Sequence, residues 1–325
     1  MEFANQIVLV TGGTAGIGLE AARLFVREGA QVIITGRDTE RGKKAVNAIN
    51  DTGRVRFIQA DLADLDSVNS LVEQSGPVDV IVNNAGAFPV ALTIEQDVAG
   101  FQKIFDTNVR GAYFLVAKLV PHMLGKGRGN IVNVTTMATS KGIPGASVYS
   151  ASKSALASFT RTWAAEFGPH IRVNTVAPGT TRTDGVLVEW GESIEDIART
   201  SPLGRTARAH EIAEAILFLA SPRASYLTGA TINVDAAPPP SDVLLDRESD
   251  HPMGRSPCPE GLGNGHGRPA TTEAPQITPR SMLGYYDCSS CRTDRRPGFP
   301  SGPAVRSPHG AWRTRPRGPE ADSEH

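Results

Sequence analysis

The chain has 325 residues, 40% of them hydrophobic, with 33 basic and 34 acidic side chains and a formal net charge of -1. That is ample apolar material for one large core, and the even charge balance gives no electrostatic case for nucleic acid or an anionic membrane as partner. No apolar stretch approaches the roughly 20 residues of a membrane helix, and no basic segment followed by a long apolar one opens the chain, so a soluble, cytoplasmic protein is expected.

Up to about residue 237, Val/Ile-rich runs alternate with stretches of helical period. Strands are expected at Ile7-Val10, Val32-Thr35, Val55-Gln59, Val78-Val82, Asn130-Val134, Ile171-Val176 and Thr231-Val234. Helices are expected over 17–28, 39–50, 65–74, 97–124, 148–167 and 210–220. Alternation of this kind means βαβ units, hence an α/β fold with a parallel sheet of seven strands and helices on both faces. The strands are continuously apolar, as strands buried on both faces should be.

Composition changes at Pro238-Pro239-Pro240, beyond which prolines crowd and no lysine occurs. The division expected is a single catalytic domain over 1–237 and a Pro/Gly/Arg-rich tail over 238–325. Such a tail cannot bury enough surface to offset its ordering entropy and is expected to be disordered. Its composition also suits translation through an altered reading frame. All three cysteines, Cys258, Cys288 and Cys291, fall in it, so the catalytic part has no thiol chemistry, and Cys288 and Cys291 are taken as incidental. The seven histidines lack metal-ligand spacing, and no metal is expected.

The run Thr11-Gly12-Gly13-Thr14-Ala15-Gly16-Ile17-Gly18 lies between the first strand and a helix whose Ile17, Ala21, Leu24 and Phe25 share one face. A strand, a glycine turn and a helix N-terminus in that order form an anion site, because backbone N–H groups and the positive dipole end point at a pyrophosphate. Asn83-Asn84-Ala85-Gly86 closes the fourth strand, at the sheet edge where ligands bind in such folds. Further on, Tyr149 and Lys153 stand four apart on one predicted helix, and so share a face. An ammonium beside a phenol favours the phenolate, so the tyrosine is expected to have a lowered pKa and to exchange a proton near neutral pH.

These motifs, with Asn108, stand in the order and spacing of the classical short-chain dehydrogenases/reductases, which the chain resembles from about Glu2 to Ala237. The resemblance implies a Rossmann-type doubly wound sheet and hydride exchange between a nicotinamide cofactor and a small carbonyl or alcohol substrate. It also implies homo-oligomers, dimeric or tetrameric, paired through the helices at 97–124 and 148–167 and through C-terminal segments, unless the tail obstructs the latter. Cofactor contacts are implied for Gly12, Thr14, Gly16, Ile17, Gly18, Asp61, Asn83, Ala85, Gly86, Tyr149, Lys153, Pro178, Gly179 and Thr183. The implied catalytic set is Asn108, Thr136, Tyr149 and Lys153. Thr136 stands 13 positions before Tyr149, where relatives usually carry serine. It keeps the hydroxyl and adds a methyl that narrows the pocket; Ser140 is the alternative hydroxyl. Asn83 and Asn84 also serve the sheet, and residues 184–201 are the expected substrate lid.

In such sites an acid at the end of the second strand binds the ribose 2′-OH and repels a 2′-phosphate. Here the strand ends Thr35-Gly36-Arg37. A guanidinium there can grip a 2′-phosphate with two parallel hydrogen bonds, which favours NADP(H), with NAD(H) as the alternative. The expected function is NADP(H)-dependent interconversion of a secondary alcohol and a ketone, with 3-oxoacyl thioesters and simple carbonyls as substrate classes. The rival readings are an NADP(H)-binding regulator without turnover and an impaired family member with an aberrant tail.

Overall fold

The computed structural model describes residues 1–49 and 53–237. The tail expected from residue 238 onward, with all three cysteines, lies outside the described residues. Every Val/Ile run becomes a strand: β1 (Ile7–Val10), β2 (Gln31–Gly36), β3 (Val55–Gln59), β4 (Val80–Asn83), β5 (Gly129–Val134) and β6 (Ile171–Pro178). The chain then adds two short strands, β7 (Thr181–Arg182) and β8 (Ala207–Arg208), before β9 (Thr231–Val234). Seven of these form one parallel sheet in the order β3-β2-β1-β4-β5-β6-β9, while β7 and β8 pair separately. The order reverses between β1 and β4, and the crevice outside their carboxyl ends is where such a sheet receives a ligand.

The helices are α1 (Gly16–Arg27), α2 (Thr39–Ile49), α3 (Leu65–Ser75), α4 (Val98–Phe105), α5 (Ala112–Lys126), α6 (Ser147–Phe167), α7 (Asp184–Trp190), α8 (Ser193–Arg199) and α9 (Ala209–Ala220). Successive strand residues point to opposite faces, so each strand feeds two cores. On one face Val8, Val10 and Ile34 pack with Phe25 of α1, Ala45 of α2 and Ile216 of α9. On the other, Leu9, Ile33 and Ile81 pack with Leu71 of α3, Leu115 of α5 and Leu156 of α6. This is the doubly wound, Rossmann-type sheet expected.

Two regions differ from the expectation. The helix expected over 97–124 is interrupted by a π-helical segment, Asp106–Gly111. Gly111 presses against the Leu62 carbonyl, where a side chain would collide, and the Asn108 amide is drawn to Ala87. The wider turn absorbs one extra residue and lets both contacts form. The lid segment, in turn, contains two short helices. Arg182 anchors them by ion pairs to Glu192 at 3.0 Å and Glu195 at 2.8 Å, and Thr183 caps α7 by accepting from the Val186 N–H.

Candidate active site

At the crevice, backbone meets backbone. Gly12 has φ +64°, and a Cβ there would stand 2.9 Å from the Ala85 Cα. Only glycine takes both that conformation and that approach without strain. A Cβ on Gly18 would strike the Asn84 amide and lie 2.5 Å from the Gly12 carbonyl. The Asn84 Nδ2 donates to the carbonyls of Thr11 (2.9 Å) and Gly12 (3.2 Å). Thr11 Oγ1 accepts from the N–H groups of Asn84 and Ala85, both at 3.0 Å. The glycine turn is thereby locked to the exit of β4. Ala15 is the N-cap of α1 and offers no side-chain acceptor, so among the described residues no capping side chain occupies the N–H groups that open the helix. Ile17, partly buried, packs against the core beneath the turn, and Thr183 lies across it, 3.1 Å from where a Gly16 Cβ would be.

Beside the turn, Arg37 is exposed at the end of β2, and no carboxylate among the described residues pairs with it. Asp38 is engaged at the start of α2: it accepts from the Arg41 N–H at 2.9 Å, which holds its carboxyl below the usual range. Asp61 accepts from the Ala63 N–H at 3.0 Å, while Asp64 caps α3. The Asn83 side chain is buried and donates to Asn133 Oδ1 at 2.8 Å, the first link of a chain through Thr160 to Thr175. Pro178 ends β6, and the N–H of Gly179 just beyond it donates to the Val234 carbonyl at 2.9 Å.

The other half of the site is made of buried polar side chains. Lys153 is 3% exposed and donates to the Val134 carbonyl at 2.8 Å. A Cβ on Gly86 would lie 3.3 Å from the Lys153 Nζ and 3.5 Å from the Asn108 Oδ1, so the lysine and the asparagine line one small space. Asn108 accepts from the Ala87 N–H (2.7 Å) and donates to the Ala87 carbonyl and to Ser152 Oγ (both 2.9 Å). Ser152 in turn donates to the Tyr149 carbonyl at 2.7 Å. Thr136, just past β5, accepts from the Ala138 N–H at 3.3 Å and stands near enough to the Tyr149 hydroxyl to draw its pKa down. Ser140 instead lies exposed and donates to the Met137 carbonyl at 3.0 Å. It lines a separate depression of about 590 Å³ at the end of β9, with Leu203, Arg205 and Asp235.

The phenol does not behave as the Tyr149/Lys153 spacing alone leads one to expect. Part of Tyr149 is accessible, but its hydroxyl is enclosed, and burial pushes its pKa up to about 12, against the opposing effect of Thr136. Burial pushes Lys153 down to about 8. Desolvation penalises the charged form of each group and is the largest cause of both shifts. At neutral pH the phenol keeps its proton.

Two residues absent from the sequence reading close the site. The rings of Phe88 and Tyr149 meet at 6.3 Å between centroids, and Phe88 also lies 3.3 Å from where a Gly185 Cβ would be. Glu189 of α7 accepts from the Val90 N–H at 3.1 Å. The exit of β4 and α7 therefore meet beside Tyr149. No periodicity marks either residue; Phe88 is only an apolar residue two places after the Asn-Asn-Ala-Gly run.

Among the described residues no group of three or more His, Cys, Asp or Glu is placed to hold a metal ion, and no helix is long and apolar enough to cross a membrane. A family model described as enoyl-(acyl carrier protein) reductase matches residues 12–236. The cis-4-hydroxycyclohexanecarboxylate dehydrogenase of Sinomonas cyclohexanicum is 38% identical over 240 residues, which is 72% of this chain and 96% of the relative. The 3-oxoacyl-[acyl-carrier-protein] reductase of Thermotoga maritima is 34% identical over 241 residues, 72% of this chain and 98% of the relative. A solved structure described as a short chain dehydrogenase/reductase family protein is 57% identical and superposes with a TM-score of 0.69, covering 73% of this chain and 98% of its own. Likeness of this extent runs through both halves of the site and almost the full length of each relative, and the chain accordingly belongs to the short-chain dehydrogenase/reductase family of NAD(P)-binding oxidoreductases.

Proposed function

We propose that this oxidoreductase uses NADP(H) to interconvert a secondary alcohol and a ketone, with residues 1–237 as its catalytic unit. The observation that carries the reading is the convergence of Thr136, Tyr149 and Lys153 at the end of β5, facing the crevice lined by the glycine turn. The crevice suits a dinucleotide. The turn leaves backbone bare where a pyrophosphate must approach, and the opening N–H groups of α1 have no side-chain cap. When bound there, the nicotinamide supplies a hydride for ketone reduction and takes one up for alcohol oxidation.

The chain's own residues handle the oxygen and its proton. Tyr149, protonated at neutral pH, gives its proton to the substrate oxygen during reduction. Thr136 orients that oxygen and donates a hydrogen bond to the charge growing on it. Lys153 carries a positive charge that offsets the phenolate left behind; its pKa near 8 keeps it mostly charged at neutral pH. Asn108 pins Ala87 to α6, fixing the space beside Lys153, and in this reading supports a water that links the lysine to solvent. Gly12, Thr14, Gly16, Ile17 and Gly18 hold the pyrophosphate end. Asp61, Asn83, Ala85 and Gly86 serve the adenosine and ribose, and Pro178, Gly179 and Thr183 the nicotinamide. The two named relatives act, by their descriptions, on a hydroxycyclohexanecarboxylate and on 3-oxoacyl-[acyl-carrier-protein], which makes cyclic ketones and 3-oxoacyl thioesters the first substrates to try. The reading includes a homo-oligomer, checked by sizing chromatography.

Oxidation of NADPH should be followed across ketones, 3-oxoacyl thioesters and quinones. Arg37 supplies the test of cofactor choice. Arg37→Ala should weaken NADPH by about 1.5–3 kcal/mol, the loss of a charge-assisted contact, and leave NADH almost untouched. Equal losses for both cofactors would remove the case for NADP(H).

A further inference from the structure

We propose that Thr14 is a specificity-determining residue for the cofactor, because its branched β-carbon keeps position 36 free of a side chain. The inference rests on the NADP(H) reading and deepens it. An acid at the end of β2 would accept from a ribose 2′-OH and repel a 2′-phosphate. Gly36 stands there, and its emptiness has a neighbour that enforces it. A Cβ on Gly36 would lie 3.0 Å from the Thr14 Cγ2, 3.1 Å from its Oγ1 and 3.7 Å from its Cβ.

Rotation cannot relieve this contact. Threonine fills two of the three staggered positions on its β-carbon, and both γ-atoms now face Gly36. Every other staggered rotamer leaves at least one of them in a facing position. Serine has a single γ-atom and can turn it away entirely. Nor do the walls have slack. The Gly13 N–H donates to the Thr35 carbonyl at 3.1 Å, and a Gly13 Cβ would already lie 2.7 Å from Ile34. On the far side β2 is in register with β3, and Gln59 Nε2 donates to the Arg37 carbonyl at 3.0 Å.

The site is consequently short of a carboxylate for a ribose hydroxyl. Asp38, the nearest acid in sequence, is held by the Arg41 N–H. The Arg37 guanidinium is left to face a 2′-phosphate. Thr14 and Gly36 act as one unit, so an acid placed at position 36 alone must displace Thr14 to take up the ribose-binding pose.

The test measures dissociation constants of NADPH and NADH on the full-length protein by fluorescence, without turnover. Gly36→Asp alone should weaken NADPH and fail to tighten NADH. Adding Thr14→Ser to it should tighten NADH by about tenfold or more relative to Gly36→Asp alone, the value of a charged acceptor on the ribose. If Gly36→Asp tightens NADH equally with Thr14 intact, or the double variant is no better than the single, the proposal is overturned. Melting temperature covers the case of a misfolded aspartate variant. Gly36→Ala should lower it, and Thr14→Ser should restore most of the loss; the same loss in both backgrounds also overturns the coupling. Wild-type protein that binds NADH more tightly than NADPH would sink the NADP(H) reading instead, and the melting series would still decide whether Thr14 guards position 36.

Discussion

Around the glycine turn the molecule is built by leaving atoms out. Gly12 meets Ala85, Gly18 meets Asn84, and neither approach leaves room for a side chain on the glycine. Around α6 it is built by putting polar atoms in: Lys153 under the Val134 carbonyl, Asn108 against Ala87, Thr136 on Tyr149. The first half depends on shape and fails when a methyl is added. The second depends on hydrogen bonding and charge, and fails when a group is removed. In the proposed function that contrast also separates affinity from chemistry, since the glycine turn carries no titratable side chain with which to move a proton.

The sharpest way to break the contrast is to remove a hydroxyl from the polar half while keeping its shape. Thr136→Val should cut turnover by about 10²–10³, the usual loss of one oxyanion-type donor. Thr136→Ser should retain or raise turnover and admit bulkier ketones; steady-state kinetics on both variants decides. A valine variant as active as wild type would mean that the polar half works without this donor.

In the other half the corresponding change is an addition. Gly18→Ala forces a methyl onto Asn84 and the Gly12 carbonyl, and should cost about 1–3 kcal/mol of stability, read by denaturant unfolding. An alanine tolerated without loss would show that the turn has slack.

The charge of the polar half predicts a pH dependence. Above pH 8 the native Lys153 sheds its proton, while the unfolded lysine holds its own until about 10.5. The unfolded state then binds more protons, so this group makes stability rise with pH between those values. Lys153→Met removes the term. Relative to wild type it should be stabilised below pH 8, by about 3 kcal/mol, with the gap closing as pH approaches 10.5. Tyr149 acts with the opposite sign and only from pH 10 to about 12, where the unfolded phenol ionises and the buried one does not. Melting curves at pH 7 and pH 9.5 on both proteins check this.

The smallest effect extends the glycine rule to the exit of β9. Ala236 and Ala237 have φ of +58° and +45°, a region that favours glycine. Ala236→Gly should stabilise the fold by about 1 kcal/mol through relief of that strain, measured as a rise in melting temperature.

Much of this was legible in the residues. β1, β3 and β9 begin and end where the Val/Ile runs do, because a strand buried on both faces must be apolar throughout. The break at Asp106–Gly111 was hidden, since helical period continues through Phe101, Ile104 and Leu115. Its causes, the Leu62 carbonyl and Ala87, are remote in sequence. The helices α7 and α8 are short and held by Arg182, Glu192 and Glu195, which leave little periodic trace. Spacing correctly put Tyr149 and Lys153 on one helix, but spacing carries no measure of enclosure, and it is enclosure that sets their ionisation.

Asn108 offers Ala87 one acceptor and one donor, the same two groups a neighbouring strand would offer. In effect a single side chain impersonates a strand, and main-chain pairing resumes at Ala87, beyond the end of β4, in the segment that faces Lys153. Of the ordinary side chains only an amide presents both halves of a peptide group at once. The position is therefore constrained by imitation of the main chain as much as by any part in proton transfer.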